Sequence, residues 1–268
     1  MVTFPNSKIN LGLNIISKRD DGFHNIETCF YPLSLTDVLE ILPSDKLEFI
    51  QTGLPILANT GENICLKAYH LLSADYQLPK VKIHLHKCCP IGAGLGGGSA
   101  DAAYTLSTID KMLNLNIPRE KLNEYALTLG SDCSFFLQNQ PMIGSGRGDR
   151  LKPIDLSLKG FQILIIKPQI TISTAVAYQW ISPQPADSID QILSKPITSW
   201  KEKLKNNFEN PVFEHYPILK HLKESLYDAG ALYASMSGSG SALFGIFEAN
   251  IKTDNLFSDV WFWYGNLD

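Results

Sequence analysis

Between Pro90 and Ala103 the chain reads PIGAGLGGGSADAA, with five glycines from Gly92 to Gly98 and a serine where an apolar helical pattern begins. Glycines at this density suit one kind of chemistry. Lacking a Cβ, they reach positive φ, and successive backbone N–H groups can then turn toward a common anion. A helix starting at the end of the loop adds the potential of its N-terminus, about 0.3–2 kcal/mol per anionic group. The segment is therefore a candidate phosphate cradle that needs no side-chain charge, formed by Pro90, Ile91, Gly92, Ala93, Gly94, Leu95, Gly96, Gly97, Gly98 and Ser99. The alternative is close backbone packing against a sheet, for which five glycines are more than a turn needs.

Two familiar phosphate loops fail on context. Gly92, Gly94 and Gly97 satisfy GxGxxG, but a dinucleotide loop follows a buried parallel strand and is answered by an acidic residue about twenty positions on. Here the preceding strand, Val81 to Lys87, is amphipathic, and the following helix leads through Asn114 to Pro118 into another helix. A Walker loop ends in Gly-Lys-Ser/Thr, a triplet this segment lacks. A cation and a base must then come from elsewhere. Lys8 and Asn10 alternate with Ile9 and Leu11 and so share one face of a strand; Asp132 follows a helix stop at Gly130. The competing readings are a solvated lysine at a strand start and a Ser131-Asp132 pair that caps a turn.

The elements that would position these groups read as mixed α and β without strict alternation, which favours α+β with mixed or antiparallel sheets over a doubly wound fold. Strands are expected from Lys8, over Asn25 to Leu35, at Val81 to Lys87, at Phe161 to Lys167, and at Leu232 to Met236 and Ala242 to Phe247. Helices are expected over Glu62 to Leu72, from Ser99 as a capping serine, from Pro118 to Gly130, and over Pro217 to Ala229. Ser182 to Pro196 reads as a surface loop holding a short helix. The least regular joint, 153–160, suggests a two-lobed chain divided into 1–155 and 156–268.

Composition narrows the classes further. The chain has 268 residues, 44% of them hydrophobic, and a net charge of −4 with no run of basic residues beyond two. This excludes the electrostatic footprint of a nucleic-acid binder. No apolar run is long enough to span a membrane and no signal-peptide pattern opens the chain, so a cytoplasmic protein without membrane or obligate protein partners is expected. Five cysteines without a CxxC pair read as reduced thiols. His84, His86 and Cys88 would share a strand face, yet they lack a fourth donor at zinc spacing, and no metal site is expected from them.

The glycine-rich segment resembles the second motif of the GHMP kinases. SKINLGLNIISKRDDGFH resembles their first motif and MSGSGSALFGIF, from Met236, their third. Within the family, KINLGL with RDDGFH, LGSDCSFFL and NFENPVFEHYP are similar to the branch that phosphorylates a cytidine-diphosphate-linked polyol in non-mevalonate isoprenoid synthesis. Departures are Phe23 where tyrosine is usual, Asn6-Ser7 before the lysine where small residues are common, and Cys133-Ser134 where Val-Pro is more usual.

The resemblance implies an ATP- and Mg²⁺-dependent kinase whose small-molecule substrate is a cytidine diphosphate derivative. It makes Asp132 the general base and Lys8 the cation that assists it, with two divisions of labour open: Asp132 removes the proton, or Lys8 mainly lowers the hydroxyl pKa. Phe23 and Tyr178 would hold the two faces of the cytosine and His24 its edge. Asn10 would join the acceptor site, and Ser239 and Gly240 would bring a second small-residue loop to the phosphates, unless they form only a tight hairpin. Asn63 is a candidate for adenine through its amide; the alternative reading is a helix-start asparagine.

Overall fold

The computed structural model describes residues 1–55, 63–248 and 260–267. In chain order it contains β1 (Val2–Thr3), β2 (Asn6–Lys18), β3 (His24–Thr36), β4 (Val38–Pro43), β5 (Glu48–Gly53), α1 (Ile64–Asp75), β6 (Val81–Lys87), α2 (Gly97–Leu113), α3 (Arg119–Leu129) and α4 (Cys133–Gln138). There follow β7 (Met142–Gly146), β8 (Arg150–Pro153), β9 (Gln162–Lys167), α5 (Thr174–Gln179), α6 (Ile189–Leu193), α7 (Trp200–Lys203), α8 (Glu209–His215), α9 (Pro217–Asp228), β10 (Tyr233–Met236), β11 (Leu243–Phe247) and β12 (Trp261–Asn266). The expected α+β class is observed. Glu62, the expected start of the first helix, lies outside the described residues.

Two compact units are formed, the first from Met1–Ser7, Leu35–Ile91 and Gly96–Asn139, the second from Lys8–Ser34, Gly92–Leu95 and Gln140–Asp268. The expected joint at 153–160 thus falls inside the second unit. The reason is strand pairing: β2 and β3 join β7 and β8 in one sheet, which draws residues 8–34 to the C-terminal half. Residues 92–95 of the glycine-rich loop are drawn there as well, where Ala93 O accepts the Ala242 N–H at 3.1 Å.

In the first unit the sheet order is β1-β4-β6-β5, antiparallel except for the β5–β6 pair. Alternation along β4 and β6 buries Leu39, Ile41, Val81, Ile83 and Leu85, as the period of a strand requires. The fourth inward position of β6 is Lys87, itself 2% exposed. Helix α1 packs against α2. Ala100, Ala102 and Ala103 are fully buried on α2 with Leu106 and Ile109, and the alanines leave room for close approach.

The second unit holds the sheets β2-β3-β7-β8 and β10-β11-β9-β12, the latter antiparallel throughout. Its core joins Leu13 and Ile15 of β2 to Leu164, Ile166, Phe208, Val212, Leu219 and Leu243. Strand β2 departs from a half-exposed pattern: residues 6–15 are buried on both faces, polar ones included.

Candidate active site

The loop from Pro90 to Ser99 leaves β6 and enters α2. Gly92, Gly94 and Gly96 have φ of 63°, 78° and 72°. Contrary to expectation, Ser99 does not cap α2. The helix starts two residues earlier, at Gly97, with the left-handed Gly96 at its N-cap and no side-chain cap bond. The glycine turn aims the chain straight into a helix, so a capping serine is not needed and the first-turn N–H groups are not taken by a cap side chain. That is the geometry an anion requires at a helix N-terminus.

Within the second unit the loop interlocks with the turn between β10 and β11. Ser237 Oγ donates to Gly94 O at 2.7 Å, and Asn10 N donates to Ser237 Oγ at 3.3 Å. The approach is so close that a Cβ on Gly94 would lie 1.9 Å from Ser237 O. Lys8 and Asn10 do share a face, and that face is buried. The Lys8 ammonium donates to Asn10 Oδ1 at 2.5 Å and to Gly94 O at 3.0 Å, and lies 5.3 Å from the centre of the Phe30 ring. Asn10 Nδ2 is fixed in turn by Thr28 Oγ1 at 2.9 Å. Ser239 is buried with its hydroxyl 3.0 Å from Thr174 Oγ1, and Gly240 has φ 87°.

The sequence reading did not single out the residues that clamp this turn from behind. Asn206 Nδ2 donates to Met236 O and Gly238 O, and Glu209 Oε1 accepts from Met236 N and Ser235 Oγ. Both lie in or beside the NFENP segment, the one signal that pointed at them. A cavity of about 890 Å³ in this unit touches the clamp through Asn206 and Glu209 but is lined by none of the expected site residues.

In the first unit Asp132 is half-buried at the start of α4, with φ −81°, and its side chain makes no cap bond to that helix. The turn before it lies against α2: a Cβ on Gly130 would sit 3.4 Å from Cys133 Sγ and 3.8 Å from Ser99 Oγ. The helix stop, the candidate base and the loop's exit are thereby neighbours. Asn63 caps α1, its Oδ1 accepting from Cys65 N at 2.8 Å. His84 and His86 share the Thr52 hydroxyl, each at 2.9 Å, and among the described residues no three metal-donor side chains converge.

The aromatic residues lie in the second unit. His24 and Tyr178 stack on one another with ring centres 4.7 Å apart and an interplanar angle of 12°. Tyr178 also meets Phe208 edge-on at 5.0 Å. Burial, followed by the charge of Lys18, lowers the His24 pKa and keeps the ring neutral near pH 7. Phe23 is 52% exposed, with the Arg147 guanidinium 4.9 Å from its ring centre. Arg147 is a further residue the sequence reading did not flag.

Comparison with known proteins decides the family. The model of the GHMP kinase N-terminal domain matches residues 63–146, and that of the GHMP kinase C-terminal domain matches residues 188–256. The chain belongs to the GHMP kinases. As a kinase of this family it uses ATP. It is 47% identical over 270 residues to the 4-diphosphocytidyl-2-C-methyl-D-erythritol kinase of Parabacteroides distasonis, with 100% of each chain covered. It is 49% identical to the protein of the same name from Bacteroides fragilis, over 94% of each. The crystal structure of a 4-(cytidine 5'-diphospho)-2C-methyl-D-erythritol kinase matches with a TM-score of 0.86 and 32% identity, covering 100% of this chain and 99% of that one. The mevalonate kinase of Methanococcus jannaschii, at TM-score 0.73, 15% identity, and 100% and 98% coverage, shares the GHMP kinase fold.

Proposed function

We propose that this GHMP kinase phosphorylates the 2-hydroxyl of 4-diphosphocytidyl-2-C-methyl-D-erythritol, giving the 2-phosphate and ADP, in non-mevalonate isoprenoid biosynthesis in the cytosol. The observation that carries the reading is similarity along the whole chain to relatives of that name, 47% over the full length of the Parabacteroides distasonis protein. The residues expected to serve it, Lys8, Asn10, His24, Asp132 and Tyr178, are all present.

ATP supplies the transferred phosphoryl group, with Mg²⁺ sharing the charge of its phosphates. The backbone of residues 90–99 holds those phosphates, which fits the three positive-φ glycines and the uncapped first turn of α2. Asp132 accepts the proton of the acceptor hydroxyl, and the ammonium of Lys8 steadies the oxygen that attacks. Asn10 fits a holding role, since its Oδ1 accepts a hydrogen bond from the Lys8 ammonium while its Nδ2 donates to Thr28 Oγ1. Ser239 and Gly240 close on the phosphates. Asn63 contacts adenine through its amide nitrogen, because its oxygen caps α1. Tyr178 and Phe23 carry the cytosine ring and His24 reads its edge. The direct stack of His24 on Tyr178 leaves the outer ring faces, not the gap between them, for the base.

Most of the acceleration in such a reaction comes from positioning, about 7–11 kcal/mol, with a further factor of roughly 10²–10⁴ from the base. The deciding experiment is ADP release by the purified protein with a panel of acceptors: the cytidyl compound, mevalonate, phosphomevalonate, homoserine and galactose. Turnover with the cytidyl compound is expected. Turnover with another member and none with the cytidyl compound would refute the assignment.

A further inference from the structure

A buried ion cluster in the first unit closes the two ends of the glycine-rich loop. The inward series of β6 ends in Lys87, whose ammonium donates to Asp37 Oδ2 at 2.5 Å and to Asp101 Oδ2 at 2.7 Å. The three side chains are 1%, 0% and 3% exposed. Asp37 Oδ1 accepts the N–H groups of Cys88 at 2.6 Å and Cys89 at 2.8 Å, the residues that lead into the loop. Asp101 lies one turn inside α2, the helix that leads out of it. The ammonium sits directly under that helix's first residue, where a Cβ on Gly97 would be 3.3 Å from Nζ. One cation thereby ties the entry of the loop to its exit.

The charges of the cluster do not balance. Two carboxylates face one ammonium, and Asp101 Oδ1 is buried without a hydrogen-bond partner. An excess buried charge is costly, and taking up a proton relieves it. Burial, opposed by Lys87 and reinforced by Asp37, pushes the Asp101 carboxyl up to about 7. Burial opposes the charge on Lys87, yet the two carboxylates hold it above the ordinary lysine range. The remaining neighbours do not alter this balance. Cys65 of α1 is pushed up to about 12 by burial, and burial also raises Cys89 on the segment after β6, so both stay neutral. Cys133 of α4 engages Ser99, and Tyr125 of α3 donates to Asp75.

We propose that Lys87, Asp37 and Asp101 are positioning residues that hold the phosphate loop closed, and that proton loss from Asp101 weakens its grip on the nucleotide. The cause is electrostatic: ionised, Asp101 adds an uncompensated negative charge beneath a cradle for anions, and protonated it does not. The inference rests on reading residues 90–99 as the nucleotide cradle.

Asp101→Asn keeps the side-chain shape and cannot ionise. ADP affinity of the wild type and of this variant would be measured by calorimetry from about pH 6 to about pH 8.5, with Mg²⁺ present throughout. Taking the ratio of the two dissociation constants removes the nucleotide's own protonation. The wild-type constant is expected to rise relative to the variant's by about 5-fold or more across that range. A constant ratio would overturn the proposal, since a merely structural aspartate shifts both ends alike. Infrared spectroscopy of the wild type gives an arm that needs neither the variant nor nucleotide. A carboxylic-acid C=O band present at the acid end and lost at the alkaline end is expected; absence of any such titrating band would overturn the proposal. Failure of the wild type to bind ADP at all would refute the nucleotide cradle, while the infrared result would still decide whether Asp101 titrates.

Discussion

Around Gly94 the proposed phosphate site is built from backbone: positive-φ glycines, an uncapped helix start, and a turn pressed so close that Ser237 O occupies the place of a Cβ. Around His24 the proposed base site is built from side chains, a stacked His24–Tyr178 pair braced by Phe208 and an exposed Phe23 beneath Arg147. A phosphate presents the same charged oxygens in every kinase of the family, so peptide geometry suffices to hold it. A base must be told from other bases, and only side chains differ enough to do that. The backbone site should therefore tolerate almost no substitution, whereas the side-chain site should lose affinity in steps.

The largest effect is expected at the proposed base. Asp132→Asn should lower turnover by about 10² or more in an ADP-release assay while nucleotide still binds in calorimetry. Near-normal turnover would remove Asp132 from the mechanism. Gly94→Ala should come next, because the added carbon meets Ser237 O and φ 78° is costly for alanine. Backbone strain alone amounts to about 1–3 kcal/mol, read as a fall in thermal midpoint together with loss of nucleotide affinity. Gly98→Ala sharpens the contrast, since nothing lies within 4 Å of the added carbon. Its thermal stability should hold or rise by about 0.5–1 kcal/mol, so any weakening of ADP binding there reports the ligand and not the fold.

Effects in the aromatic region should be smaller and selective. Tyr178→Ala is expected to weaken the cytidyl substrate by about 1–3 kcal/mol in KM, with the KM for ATP moving much less. Equal losses for both substrates would break the distinction between the two regions. The smallest effect is a pH dependence. The folded pKa of His24 lies below its ordinary value of about 6.5, because of burial first and Lys18 second. Its contribution to stability is complete above that value and is lost as the pH falls through the lower folded pKa. The thermal midpoint of His24→Gln should accordingly fall less than that of the wild type between about pH 7.5 and about pH 5.5.

Much of this was readable in the chain because it is local. Alternation from Lys8 to Ile15 marked β2 and put Lys8 and Asn10 on one face; the glycines marked the positive-φ loop; Gly130 marked the helix stop before Asp132. The readings that needed revision are those that depend on distant partners. Ser99 looked like a cap because the left-handed turn at Gly96, which makes a cap unnecessary, is a conformation and not a residue type. The joint at 153–160 is legible as a local irregularity, but no local pattern reveals that residues 8–34 return to pair with β7. Lys87 reads in sequence only as the last residue of an amphipathic strand. Its two carboxylates are 50 and 14 positions away, and burial alone turned an ordinary lysine into a tie between the loop's ends.

By itself the sequence determined the family resemblance and the local elements, since the glycine-rich run, the alternating strand from Lys8 and the helix stop at Gly130 follow from residue type and short spacing. Only the tertiary structure decided what holds those elements in place: Ser237 against Gly94, Asn206 and Glu209 behind the turn, and Asp37 and Asp101 on Lys87. The reason is physical. Conformational preference acts over a few neighbouring residues, whereas burial and charge compensation depend on which distant groups the fold brings within hydrogen-bond reach.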